Sequence, residues 1–491
     1  MAFSWGDGFD LYAIPADAIQ GYWDSGSTAF TLVAGRYSGG RGLQTSSASS
    51  TYLVKSSGQN DAIHHVVVAF RQPSVIGGTN TGWAIGLYDG ATAQCTIVFR
   101  TDGAILLTSG VSGGTVLATY SGAVTANNTW YAFEFEVTIN NTTGRFRVRK
   151  NGNTSDDFDS GAINTRVSAN NYANRLQVGC AALSVNTHQL DDLFWRSDAT
   201  SVAWMGDLRC YTRMPQSDAA VQFARTPATG TVSNAAGSFA GIVAGVARYT
   251  PFTAAYEGTI ATGTISLNTG YTGNLKCSIF ATAGSGPTTV VGSANVVTNP
   301  ATGVNALTFP TPVPVTKGTA YFLGFDSDTS SGMWNATGVS GYSSTTPYAS
   351  FPVSSPTATA AGFILAVSVV ITITTNASVV SEAQQDGSTS YVSSSTAGDA
   401  DFYTVAGITD TPANTVAVVT RGFVQKTDAG ARSAAMQLKS GATTVQSTVA
   451  GGLSPGVWTW LYRTDLTDPN TGVAWTPVGV NSVQIGPTVV S

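Results

Sequence analysis

Glu134 and Glu136, in the run WYAFEFEVTIN, are the side chains of this sequence best spaced for acid–base chemistry. Alternate residues of a β-strand share one face and lie about 6 to 7 Å apart. Retaining glycosidases hold two carboxyls about 5 to 5.5 Å apart, so the spacing permits glycoside cleavage without specifying it. The competing expectation is a solvent-facing pair opposite a core face of Tyr131, Phe133, Phe135 and Val137. Nucleophilic catalysis needs a histidine beside a serine or cysteine, and the chain has only His64, His65 and His188. His64 and His65 are expected at a strand entrance, one facing in and one out. A third chemistry is sugar stacking, in which aromatic faces cover the apolar side of a sugar ring while amides bond its hydroxyls. Trp334, Asn335, Tyr342 and Tyr348 could supply it from the polar stretch Met333 to Phe351, expected to be a surface loop. The same aromatics could instead pin that loop to its own sandwich or fill a subunit interface.

The elements that must position these residues are all strands. From 1 to about 200, runs such as HVVVAFR, TGWAIGLY and WYAFEFEVTI lie between Gly-, Asn-, Asp- and Ser-rich turns at the spacing of an all-β sandwich, and WYAFEFEVTI alternates in period two. Asp89-Gly90 and Asn151-Gly152 supply the positive φ that tight hairpins need. SWGDGFDLY at the start and LDDLFW at 190–195 are expected to pair and close one sandwich. From about 229 to 375 a second series of short strands follows, with Phe363 to Ile373 as a buried strand. Pro310, Pro312 and Pro314 read as a stiff loop before a strand. A third series runs from 377 to 491.

A length of 491 residues gives roughly three domains of about 100 to 200 residues each. Charged residues are only 10% and glycines number 54, against 43% hydrophobic residues, a balance that suits a folded extracellular or virion β-protein. A net charge of -5 with six lysines offers no basic stripe for nucleic acid. No Lys or Arg precedes Arg36, so a Sec-type signal is not expected and release would follow another route such as lysis. No apolar stretch is long enough for a membrane-spanning helix, and no membrane insertion is expected. Cys95, Cys180, Cys210 and Cys277 lack zinc spacing and are expected as buried thiols, with a Cys95–Cys180 disulfide as the alternative.

SWGDGFDLY, WYAFEFEVTINNTTGRFRVRKNG and LDDLFWRSD, in this order, resemble the laminin-G or concanavalin-A-like jelly roll found in many phage structural proteins. MGDLRCYTRMPQSDA, SYVSSSTAGDADFY, KTDAGARSAAMQLKSG and YRTDLTDPNTGVAWTPVGVNSVQIG resemble the module that follows it in phage tail-associated proteins. RYTPFTAAYEGTIATGTISLNTGYTGNLKCSIFA is similar to small β-sandwich modules of phage appendages, and it separates two segments that run together in those relatives. The resemblance implies an all-β chain of three jelly-roll-like sandwiches. These span 1–200, then 201–228 plus 377–491 as one discontinuous module, with 229–376 inserted into it. The segment MGDLRCYTRMP is expected to leave the first sandwich and join 377–491.

The function so implied is a non-enzymatic virion protein, a tail fibre, spike or other appendage component in host-surface attachment. A capsid or collar decoration protein with glycan-binding sandwiches and a polysaccharide depolymerase are the alternatives. Implied partners are other virion proteins, copies of the chain itself with a trimer favoured, and a host glycan. The expected location is the surface of a particle assembled in the host cytoplasm. No cofactor is expected except calcium, which such sandwiches often hold at one rim; Asp191 and Asp192 are the candidate ligands, with Asp7, Asp10 and Asp89 as further acids.

Overall fold

The computed structural model describes residues 3–44, 51–73, 79–180, 188–200, 203–234, 238–283, 286–337, 341–361, 364–382, 384–408 and 415–491. The fold is all-β, a set of stacked antiparallel sheets with only short helical turns. The chain folds as two compact units. The first contains Met1–Met214, Glu382–Gly387 and Ser395–Ser491, and the second Pro215–Ser381 and Ser388–Ser394.

In the first unit the two ends of the opening sandwich meet. Strand Phe3–Asp7 runs antiparallel to Gln189–Asp198, with Trp5 opposite Trp195 and Asp7 opposite Leu193. Gln189–Asp198 continues the sheet to Ile63–Arg71, Trp130–Thr138 and Arg145–Lys150. The facing sheet is built around Thr51–Asp61, Ala173–Cys180, Thr81–Asp89 and Thr92–Arg100. Period-two alternation sends Phe133, Phe135 and Val137 inward, where Phe99 of the other sheet meets Phe133 and Phe135 at centroid distances of 6.0 and 5.7 Å. Gly90, Asn151 and Gly152 turn at positive φ as their hairpins require. Cys95 lies in this core as a free thiol, pushed up to about 12 by burial, and is not in a disulfide. The Cys180 side chain lies outside the described residues.

The C-terminal segment has its own sheet of Phe402–Val405, Gln484–Val489, Ser433–Ser440 and Thr443–Gln446, with a small core around Leu438, Trp475 and Val480. Its strand pair Val418–Val424 and Thr459–Asp465 is packed into the first sandwich through Phe423, Trp460 and Tyr462. Trp460 belongs to that sandwich's core; its Nε1 donates to Asp17 O at 2.8 Å and its backbone N–H to Gln20 O at 2.7 Å. Arg421 lies 3.3 Å from Asp7 and 4.0 Å over the Tyr22 ring.

The segment at 204–212 departs from its expected course. It does not leave the first sandwich but lies on it, with Met205 and Gly206 bonded to Glu134, Cys210 to Asp192 and Thr212 to Asp10. At its end, from Met214, it reaches the C-terminal segment as expected, with Met214 O accepting the Ala406 N–H. The physical reason is that the outer face of this sheet carries charges, which the segment satisfies with backbone donors.

The second unit is a sandwich of two sheets, one centred on Gly258–Thr269 with Val367–Ile373, the other on Ala320–Ser327 between Val246–Thr253 and Asn274–Ala283. Val367–Ile373 alternates buried and partly buried positions, as a strand with one core face does. Two local expectations are corrected. The prolines 310, 312 and 314 lie within strand Gly303–Val315, all exposed, on an edge that among the described residues pairs only with Gly258–Thr269. An edge strand tolerates proline because its outward positions need no ladder donor. Met333 to Phe351 is not one surface loop, since Met333–Thr337 and Gly341–Thr345 are paired strands in opposite sheets.

Arg421→Met is expected to destabilise the full chain by about 3 kcal/mol in urea denaturation, because it strips the cation from a buried pair. Adding Asp7→Asn is expected to cost less than the sum of the single changes. Additive costs would show that the pair is not coupled.

Candidate functional site

The carboxylates at 134 and 136 do lie on the face opposite the aromatic core, but that face is covered. Glu134 is 2% and Glu136 7% exposed, which corrects the expectation of a solvated pair. Between them stands His65, its Nδ1 2.8 Å from Glu134 Oε1 and its Nε2 3.0 Å from Glu136 Oε2. Both ring nitrogens must donate in this arrangement, which selects the imidazolium. Burial works against that charge, yet the bonds to Glu134 and Glu136 outweigh it and raise the His65 pKa. Arg147 grips Glu136 from the next strand, and burial of Glu136 is outweighed by His65 and Arg147, which hold its pKa down. Trp204 closes the cluster from above, edge-on to His65 at 4.9 Å and 4.1 Å from the Arg149 guanidinium. With Met205 and Gly206 also donating to Glu134, both carboxylates are fully engaged, and neither is poised to protonate or attack a glycosidic bond.

His64, the adjacent residue, faces the core. Its Nε2–H donates to Asp61 O, its Nδ1 accepts from Trp195 Nε1, and burial pulls it down to about 4. The two histidines thus occupy opposite faces, as expected, but both are buried.

Asp191 and Asp192 sit at a β-bulge where Asp192 adopts φ 50°. Asp191 accepts the backbone N–H groups of Arg36 and Asp192, both at 2.7 Å, and Asp192 Oδ1 that of Cys210 at 2.8 Å. The remaining oxygen, Asp192 Oδ2, lies 3.7 Å from the Arg36 guanidinium. Burial pushes both carboxyls above the usual carboxylate range, with the Asp192 charge adding to the shift of Asp191 and Asp10 to that of Asp192. Calcium needs several converging ionised oxygens. Here three oxygens face N–H donors and the fourth a cation, so the donor set does not fit calcium. Asp7 and Asp10 are likewise engaged, Asp7 by Phe9 N, Tyr12 and Trp23, and Asp10 by Arg41 N and Thr212. Asp89 accepts from Ser168 and Asn170 instead. No metal-ligating cluster occurs among the described residues.

Trp334, Tyr342 and Tyr348, proposed for sugar stacking, each pack in a different setting. Trp334 is 1% exposed in the core of the second unit, which corrects its assignment to a binding surface. Its aliphatic and aromatic neighbours make it a filler between sheets. The Asn335 backbone pairs with Phe239, and its side chain lies outside the described residues. Tyr342 is partly buried edge-on against Phe322 of the same sheet, while Tyr348 lies under Lys276, whose Nζ is 4.4 Å from its ring. Near Tyr348, Asp326 is fully buried, its Oδ1 accepting from Ser327 N and its Oδ2 without a partner among the described residues; burial pushes it up to about 6.

Sequence reading missed a polar cleft of about 450 Å³ in the first unit, lined by Ser4, Gln446, Ser447, Thr448, Tyr462, Arg463 and Thr464. Its walls come from strands Phe3–Asp7, Thr443–Gln446 and Thr459–Asp465. No local signal marks it, because its two sides lie more than four hundred residues apart in sequence.

No protein family matches the sequence. No curated protein matches it. Among solved structures, the chain is similar to the conserved carbohydrate esterase vb_24B_21 from Shiga toxin-encoding bacteriophage phi24B, at 17% identity over 39% of this chain and 99% of that one, with a TM-score of 0.27. The metal-free Emp46p carbohydrate recognition domain matches at 10% identity over 38% and 95%, with a TM-score of 0.26. The cellulose-induced protein Cip1 matches at 15% identity over 41% and 94%, with a TM-score of 0.27.

Two outcomes are expected. Calcium or a chelator should leave the melting temperature unchanged, and a calcium-dependent rise would restore Asp191 and Asp192 as ligands. Because the Asp326 pKa is raised on folding, stability falls as pH climbs from the ordinary carboxylate range near 4 to about 6 and is level above that. Asp326→Asn should remove this slope and stabilise the chain at pH 7 by on the order of 2 kcal/mol, read from melting curves across pH.

Proposed function

We propose that the protein is a non-enzymatic structural component of a bacteriophage particle, a tail-fibre, spike or similar appendage part that contributes to attachment at the host surface. The observation that carries this reading is the use made of the motif residues. Trp5, Asp7 and Tyr12 of SWGDGFDLY, together with Trp195 of LDDLFW, close one unit with the strand pair carrying Arg421 and Trp460. The sequence features that resemble phage structural proteins therefore serve packing. The acid pair Glu134 and Glu136, which a depolymerase would need exposed, is locked by His65, Arg147 and the backbone of 205–206.

Low charge and a surface rich in Ser, Thr and Gly suit close packing against other virion proteins and against copies of the same chain, a trimer being the favoured assembly. Attachment then rests on a saccharide at the host surface.

Quantitative mass spectrometry of particles made from a genome encoding this chain tests the proposal. It should be present at a fixed copy number per particle, and purified protein should release no reducing ends from host polysaccharide. Absence from washed particles, or polysaccharide cleavage abolished by Glu134→Gln, would refute it.

A further inference from the structure

We propose that the polar cleft between the N-terminal strand and the C-terminal strands of the first unit binds a neutral saccharide. The assignment takes its ligand class from the attachment reading above, but its site from the geometry. The cleft volume of about 450 Å³ falls within the range of small-ligand sites. What lines it is the chemistry that hydroxylated ligands use: hydroxyls of Ser4, Thr448 and Thr464, the Gln446 amide, the Arg463 guanidinium and the Tyr462 phenol.

The large side chains of this wall are already fixed. Arg463 Nε lies 2.8 and 2.9 Å from the two Asp465 carboxylate oxygens, and its Nη1 donates to Gln446 O at 2.9 Å. The Tyr462 ring meets Tyr22 edge-on at 4.9 Å and carries Lys55 Nζ at 4.8 Å. Groups held in this way lose little conformational freedom when a ligand arrives. Ser4 Oγ is the independent sign of a missing partner. It is buried and has no hydrogen-bond partner among the described residues, although a buried hydroxyl left unpaired carries a desolvation cost. A ligand hydroxyl in the cleft would pair it.

Charge decides between a neutral and an acidic sugar. Among the described residues the one cation lining the cleft is Arg463, and Asp465, itself buried, already neutralises it at 2.6 Å. An anionic ligand would have to compete with that carboxylate, whereas the outward guanidinium N–H groups can still donate to neutral hydroxyls.

The test uses the full chain on an array of neutral oligosaccharides of glucose, galactose, mannose, rhamnose and N-acetylglucosamine, with oligomers of a uronic acid alongside. At least one neutral member should be retained, equally at low and high salt, and Thr464→Arg, which fills the cleft from a partly exposed position, should weaken retention at least about tenfold. If that variant melts below the parent, Gln446→Ala, at an exposed position, replaces it and should also weaken binding. Retention of no neutral member, salt-sensitive retention of the uronic acid alone, or binding indifferent to both variants would overturn the site. The outcome is separable from particle location: a chain absent from virions that still binds through this cleft refutes the appendage reading and leaves the site standing.

Discussion

Asp7 is the fixed point of the first unit. Its carboxylate is buried and accepts hydrogen bonds from the Phe9 backbone, the Tyr12 hydroxyl and the Trp23 indole, while Arg421 arrives from the C-terminal strand pair to balance its charge. Burial alone would discharge an arginine, yet the Tyr22, Asp7 and Tyr12 oxygens outweigh it and hold the Arg421 pKa above its ordinary value. An ion pair in such surroundings contributes less net stability than its closeness suggests, because two desolvated charges must first be compensated. Its contribution is to specificity. Removing either partner leaves a charge in a wall of aromatics, so the strand pair has one seat and the N-terminal strand one register.

Other features follow from that seat. Once the strand pair is docked, Trp460 completes the sandwich core and Tyr462 lies between Tyr22 and Lys55. The strand that carries them also carries Arg463 and Thr464, which brings these residues opposite Ser4 and creates the polar cleft. The proposed saccharide site is thus a by-product of core packing between the two ends of the chain. On the outer face of the same sandwich, the segment from Trp204 to Thr212 performs a comparable task for a cluster of His65, Glu134, Glu136 and Arg147. It converts what looks like a catalytic constellation in one dimension into a closed charge network.

Much of the secondary structure was legible because period-two patterning reports a strand with one buried face. WYAFEFEVT shows its inward-facing positions directly, and Asp89-Gly90 and Asn151-Gly152 mark turns by backbone stereochemistry. Trp334 misled for a specific reason: a tryptophan in a polar, glycine-rich stretch carries no information about which way its strand faces until the neighbouring strands are known. Asp191 and Asp192 misled similarly, since adjacent acids look like ligands until backbone donors from Arg36 and Cys210 are seen to occupy them.

The sequence by itself determined the all-β class, most strand positions and the pairing of the opening and closing strands of the first sandwich, because each depends on local alternation or on matching aromatic patterns. Tertiary structure alone decided that Glu134 and Glu136 are covered, that Arg421 is the partner of Asp7, and that Ser4 shares a cleft with Tyr462 and Arg463. Those outcomes depend on contacts between residues far apart in the chain, and burial, charge compensation and accessibility are properties of the neighbours a residue acquires rather than of its own type.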